Sequence, residues 1–371
     1  MALSIAPSTH WLGNDGPWST FNIRVGPSQQ LVQVLPASSV SLTLAVLELG
    51  CVEEVEPSTC EDLRGAVLDP TDLLAWSNLT AANGDEFLTV KFPSEEFYFR
   101  EGLASAVGVT SLALDWDEGE SSSDLQPLEG QVIAGYAVKD PFLGLLGLSG
   151  LPSHPVTPDI SYNSPLHTLK NVSAISGLTW AYTAGAKYKI PESLGSLTFG
   201  GYDSSLVNMN EALTNVSFKR NPNGNELTLT VKSITVGDES PDSSNLVAQL
   251  DSTLPDIWLP KSICSLFEDK FGLQWNESLG MYLVNNNQRE RLQTENTSVS
   301  FDLAPSSGSS EVVTITLPYL AFDHEVRFPL ANITDADTTL HYFPLKRTPN
   351  KTADPGVDFY VFLGRTFFQE A

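Results

Sequence analysis

The feature that most restricts the fold is a succession of short β-branched or aromatic segments, each closed by Gly, Pro, Asn or Asp. FNIRVG, LVQVLP, SLTLAVLEL, FLTVKF, QVIAGYAV, SLTFGGYD, ELTLTVKSITVG, LVAQLDS, VVTITLPYLAF and FYVFLG follow one another along the chain. Segments of this length and make-up suit a pleated, half-buried surface rather than a helix. Helical periodicity is confined to SPLHTLKN and PKSICSLFEDKFG, where Ile263, Leu266, Phe267 and Phe271 form an apolar stripe around Cys264. These patterns predict an all-β architecture with a few short helices, and Cys264 as a buried, inert thiol. At 371 residues the chain is long enough for two lobes, each with its own core.

A weak internal echo supports two lobes. LVQVLPASS at 31–39 and LVAQLDSTLPDIWLP at 246–260 both run an apolar strand into a small-residue turn and then into apolar residues again. Two copies of one turn predict two related lobes, 1–205 and 206–371.

The 45 acidic and 20 basic residues give a net charge of −25. Such a surface repels phosphate backbones and anionic lipid, which argues against nucleic acid as a partner. Asn-X-Ser/Thr sequons at Asn78, Asn171, Asn215, Asn276, Asn296, Asn332 and Asn350 are dense for this length and predict a glycoprotein of the secretory pathway. Cys51 and Cys60, in the acidic stretch CVEEVEPSTC, are placed to close a small disulfide loop. No stretch is long and apolar enough to span a bilayer. The start, MALSIAPSTHW, lacks the basic flank of a signal peptide, so a leader is expected to have been removed upstream of it.

Taken in order, WLGNDGPWSTFNIRVG, the first turn, FLGLLGLSGLP, LGSLTFGGYD, LDSTLPDIWLP and FLGRTFF resemble the pepsin-like aspartic proteases, and most closely a fungal secreted branch of them. The resemblance covers nearly the whole chain. It implies a bilobal β-fold with a substrate cleft between the lobes and one Asp-Thr/Ser-Gly turn from each. The family's chemistry needs both aspartates, because two carboxylates in contact share one proton, one acting as base on a water and the other as acid toward the scissile carbonyl. The family would also lead one to expect roughly one further strand pair after FLGRTFFQEA.

Aligned on that pattern, the second turn is Asp251-Ser252-Thr253, with the carboxylate present and threonine in the glycine's place. The first turn is Pro36-Ala37-Ser38, with proline where the carboxylate is expected. The segment expected to form the flap, FPSEEFYFREGLASAVGV, lacks a clear Tyr-Gly-Thr-Gly pattern, though Tyr98 or Phe99 stands where it would lie over the cleft. Glu95, Glu96, Asp115 and Asp256 are the nearby carboxylates in sequence that would have to replace the missing acid. On its own Asp251 reads as a turn residue accepting backbone hydrogen bonds.

Other chemistries find little support. His10, His154, His167, His324 and His341 are scattered, with no metal-ligand spacing and no suitable cysteine pair, so no metal and no cofactor is expected. Asp323-His324 reads as a strand-end surface pair. No Gly-X-Ser-X-Gly elbow occurs, and the glycines of GSLTFGGYD lack the basic residue or helix start of a phosphate loop. Three functions compete: a pseudo-protease that binds an extended peptide or protein, an enzyme repurposed for an apolar small molecule through shape and water exclusion, and a protease with a displaced partner acid.

Overall fold

Each of the apolar segments singled out above contributes a strand in the computed structural model. It describes residues 2–51, 57–69, 71, 76–80, 87–90, 103–114, 116–117, 120–121, 126–156, 159–206, 227–240, 245–328, 338–348 and 361–371. The strands fall into two units. The first comprises Met1–Gly13, Trp18–Thr183 and Leu194–Val207; the second comprises Asn14–Pro17, Ala184–Ser193 and Asn208–Ala371.

Four strands frame the first turn: β1 (Gln30–Ala37), β2 (Thr43–Val46), β3 (Leu128–Tyr136) and β4 (Gly144–Gly147). β4 runs parallel to β1 and antiparallel to β2, and β2 is parallel to β3. The sheet continues from β1 to Trp18–Val25 and from β3 to Leu103–Ala113, both antiparallel. Phe21, Ile23, Val34, Leu44, Ile133 and Leu145 are all buried, which is why these strands read as apolar on both faces.

The second unit repeats this frame with β5 (Leu246–Leu250), β6 (Ile257–Leu259), β7 (Leu345–Arg347) and β8 (Val361–Leu363). Here β8 is parallel to β5 and antiparallel to β6, and β6 is parallel to β7. Its core is dominated by aromatic rings, with Phe343 stacked on Phe322 at 4.7 Å and packed against Phe271 at 5.0 Å.

Among the described residues four α-helices interrupt the strands: α1 (Pro57–Leu63), α2 (Pro165–Asn171), α3 (Lys261–Phe271) and α4 (Asn286–Glu295). α2 begins where Ser164 caps the His167 N–H and Pro165 opens the first turn. α3 buries Ile263, Cys264, Phe267 and Phe271 and stops at Gly272, whose φ of 71° is the left-handed conformation that glycine adopts freely. Burial pushes the Cys264 thiol up to about 12, so it is inert at neutral pH. α1 and α4 were not expected from periodicity. α4 is polar on nearly every side, with Leu292 its one buried residue.

Cys51 and Cys60 are joined in a disulfide. Just beyond that loop, buried Arg64 donates to the carbonyls of Gly50, Val138, Pro141 and Phe142, so the charge is held by backbone oxygens. Among the described residues no helix is long and apolar enough to cross a membrane.

Candidate functional site

The two turns are built on the same backbone plan, and strand register gives their correspondence. In each unit a strand ends beside a hydrophobic-hydrophobic-Gly segment, Leu145-Leu146-Gly147 in one and Phe362-Leu363-Gly364 in the other. Pro36 lies opposite Leu146 and Ala37 opposite Gly147, while Leu250 lies opposite Leu363. Ala37 is therefore the counterpart of Asp251. A second pairing agrees: Leu44 meets Leu145 and Trp258 meets Phe362, each seven residues beyond Ala37 and Asp251 respectively.

Turn closure supports the same match. The Val40 N–H donates to the Ala37 carbonyl at 3.4 Å, and the Leu254 N–H donates to the Asp251 carbonyl at 3.2 Å. The glycines make the third point of agreement. A Cβ on Gly147 would lie 2.4 Å from the Leu42 oxygen and 2.7 Å from the Val40 oxygen; a Cβ on Gly364 would lie 2.2 Å from the Asp256 oxygen and 2.6 Å from the Leu254 oxygen. Only glycine admits so close an approach of turn and strand.

This register corrects the sequence alignment by one residue. Pro36 is the last pair but one of the parallel ladder, and the turn matching Asp251-Ser252-Thr253 is Ala37-Ser38-Ser39. The signal that misled the alignment was the run of small residues, which fits the pattern in either frame. In both frames the position carries no ionisable group.

Asp251 is fully buried, and its Oδ1 accepts the Thr253 N–H at 3.0 Å. Threonine is tolerated where the family pattern has glycine because none of these three turn residues needs a positive φ. Ser38 is buried at the first turn. Behind the second turn lies a polar cluster that sequence reasoning missed. Arg365 donates to the carbonyls of Ser252 at 3.1 Å and Thr253 at 2.9 Å and pairs with Asp15 at 3.0 Å. Tyr342 donates its hydroxyl to the Asp15 carbonyl at 2.6 Å.

Asp256 is buried in this cluster, and burial pushes its carboxyl up to about 6, opposed by Lys346 and Arg365 and reinforced by Asp15. Its Oδ1 has no hydrogen-bond partner among the described residues. His324 is buried too, which corrects the expectation of a surface pair: it opens the strand His324–Arg327 with its side chain facing inward. Thr366 donates its hydroxyl to the Pro255 carbonyl at 2.8 Å, so the His324 Nε2, 3.2 Å from the Thr366 Oγ1, acts as the donor to the hydroxyl oxygen. Burial holds the imidazole down to about 4, against the pull of Asp323. Asp323 pairs with Arg289 at 2.7 Å.

Of the other expected site residues, Tyr98, Phe99, Glu95, Glu96 and Asp115 lie outside the described residues, as do the sequons at Asn215, Asn332 and Asn350. Asn78, Asn171 and Asn296 are exposed, and Asn276 is half-buried.

A family model described as eukaryotic aspartyl protease matches residues 131–325, more than half of the chain. No curated protein matches. Of the solved structures, the crystal structure of aspartic proteinase from Irpex lacteus aligns over 100% of this chain and 92% of that one, at 14% identity and a TM-score of 0.58. At that identity the likeness speaks for the pepsin-like fold alone.

Proposed function

The chain belongs to the eukaryotic aspartyl protease family, and from that premise we propose that it binds an extended peptide or protein segment without cutting it. The observation that carries this reading is Ala37 at the register of Asp251. Peptide hydrolysis by this family's chemistry needs a proton shared between two carboxylates, one to activate water and one to protonate the substrate. A methyl group supplies neither function, so Ala37 gives Asp251 no second carboxyl with which to divide the two roles.

The backbone of both turns nevertheless keeps its plan, and Asp251 serves it by accepting the Thr253 N–H. A scaffold that retains its frame and has lost its acid retains what extended peptides use, main-chain pairing and side-chain pockets. The sequons and the Cys51–Cys60 disulfide support a secreted glycoprotein, in keeping with the fungal secreted branch that the sequence blocks resemble.

The test is an acid-pH digest of a peptide library with the wild-type protein, Asp251→Asn and Ala37→Asp. The wild-type protein and Asp251→Asn are expected to retain peptides and release them unchanged, and Ala37→Asp is the variant in which cleavage would first emerge. Cleavage by the wild-type protein that Asp251→Asn abolishes would overturn the reading in favour of a displaced partner acid. If the immobilised wild-type protein, given an organic extract of its source, instead retains a small molecule and releases it as a different compound, the result points to an enzyme repurposed for apolar substrates.

A further inference from the structure

The second unit carries a groove of about 780 Å³ that none of the turn chemistry uses. That volume is within the range of about 300–1,000 Å³ typical of small-molecule sites. Amides and one indole make up most of its walls, Gln274, Trp275 and Asn276 on one strand and Asn285, Asn287 and Gln288 at the start of α4, with Leu283 and Gly272 beside them. Trp275 is held edge-to-face against Tyr282 at 4.9 Å, with the Arg347 guanidinium 5.2 Å from its ring, so the indole is a fixed platform.

The polar groups left over in the groove are mixed donors and acceptors. Gln288 gives its Nε2 to the carbonyls of Phe271 and Gly272 at 3.0 and 2.9 Å, leaving Oε1. Asn285 spends Oδ1 on the Gln288 N–H at 3.0 Å, leaving Nδ2. Gln274 and Asn287 make no side-chain hydrogen bond among the described residues. Arg291 also lines the groove, but it is paired with Glu295 at 2.8 Å. An aromatic platform with planar amides and a neutralised charge suits a neutral ring with one apolar C–H face and a hydroxyl rim, which is the chemistry of a sugar.

The groove also contains an attachment point for one. Asn276 opens the sequon Asn276-Glu277-Ser278, and its Oδ1 accepts the Ser278 hydroxyl at 2.8 Å, the Ser278 N–H at 3.1 Å and the Leu279 N–H at 3.1 Å. The carboxamide oxygen is thus fully engaged with the sequon's own residues, and Nδ2 is its remaining polar atom. We infer that Asn276 carries an N-linked oligosaccharide whose first sugars lie in this groove against Trp275. In the transfer, the anomeric carbon of a polyprenyl-pyrophosphate-linked oligosaccharide forms its bond to Nδ2. The carbon–oxygen bond to pyrophosphate breaks, and Nδ2 loses one proton as the pyrophosphate departs. Asn171, at the end of α2, and Asn296, whose Oδ1 accepts the Leu320 N–H at 3.3 Å, are the internal comparison, since neither lines this groove.

The inference rests on passage through the secretory pathway and not on what the protein does with peptides, so the digest described above and this test fail independently. The full chain is secreted from a eukaryotic host and each sequon's occupancy is read by glycopeptide mass spectrometry. An endoglycosidase that cuts within the glycan core is then applied to the native protein. Asn276 is expected to be occupied, and its glycan to be released about tenfold more slowly than those at Asn171 and Asn296, a difference that disappears on unfolding. Trp275→Ala is expected to remove the delay; should that variant not fold, the wild-type comparison between sites decides alone. An unoccupied Asn276, or release there as fast as at Asn171, overturns the inference.

Discussion

At the first turn Ala37, Val40 and Leu42 are buried apolar residues, whereas their register counterparts at the second are Asp251, Leu254 and Asp256. The residue after each glycine differs in the same sense, Leu148 in the first unit and Arg365 in the second. One backbone plan thus carries an apolar filling in one unit and a charged one in the other. What the two share is the approach of a glycine to a turn at distances no Cβ allows, so the frame is specified by backbone shape and the charges are an addition to it.

The comparison breaks first at those glycines. Gly147→Ala and Gly364→Ala each drive a Cβ into two backbone oxygens, at 2.4 and 2.7 Å in one case and 2.2 and 2.6 Å in the other. Backbone within a sheet cannot yield as a side chain would, so each substitution is expected to cost more than about 4 kcal/mol, a size reserved for severe packing defects. Denaturant unfolding of the two variants measures this. Equal and large losses are expected in spite of the different fillings; a tolerated Gly147→Ala would show that the apolar turn does not depend on its glycine.

The charged filling has a signature that the apolar one lacks. Asp256, raised to about 6 by burial, takes up a proton in the folded state before the unfolded chain does, so its contribution makes the protein more stable as pH falls from 7 towards 4. His324, held down to about 4, works in the opposite direction: the unfolded chain binds the proton first below about 6.5, and stability is lost down to pH 4. Each effect amounts to about 3 kcal/mol across that range, and the two nearly cancel. Asp256→Asn is therefore expected to lose about 3 kcal/mol more than the wild type on going from pH 7 to pH 4, and His324→Gln to lose about that much less. Thermal unfolding at a series of pH values checks both, and parallel curves for all three proteins would mean that the cluster is hydrated rather than sealed.

How much of this was legible in the sequence follows from what repeats in it. Strands with β-branched and aromatic residues were readable because pleated packing selects those residues locally, and α3 because its apolar stripe and Gly272 mark a face and an end. α4 was not, since a helix with one buried residue leaves no periodic trace; only its cap, Asn285, gives it away. The turns were found by their likeness to each other, yet the first was placed one residue off, because Pro36, Ala37 and Ser38 are all small and the frame is fixed by a partner strand more than a hundred residues away. The cluster of Asp15, Asp256, His324 and Arg365 was invisible for the same reason: its members come from four separate segments, and no local pattern distinguishes a buried aspartate from an exposed one.

The smallest expected effect belongs to the residue that a protease could least afford to change. Asp251 holds its turn with Oδ1, which takes the Thr253 N–H at 3.0 Å. An asparagine offers an oxygen at the same place, so Asp251→Asn is expected to keep that bond and to change stability by no more than about 1 kcal/mol, the net worth of one internal hydrogen bond. Asp251→Ala, which leaves the buried Thr253 N–H without that acceptor, is expected to cost about 1–3 kcal/mol. Chemical denaturation of the pair separates the two. If Asp251→Asn proves as damaging as Asp251→Ala, the negative charge itself holds the second turn, and the contrast with Ala37 is one of electrostatics rather than of hydrogen bonding.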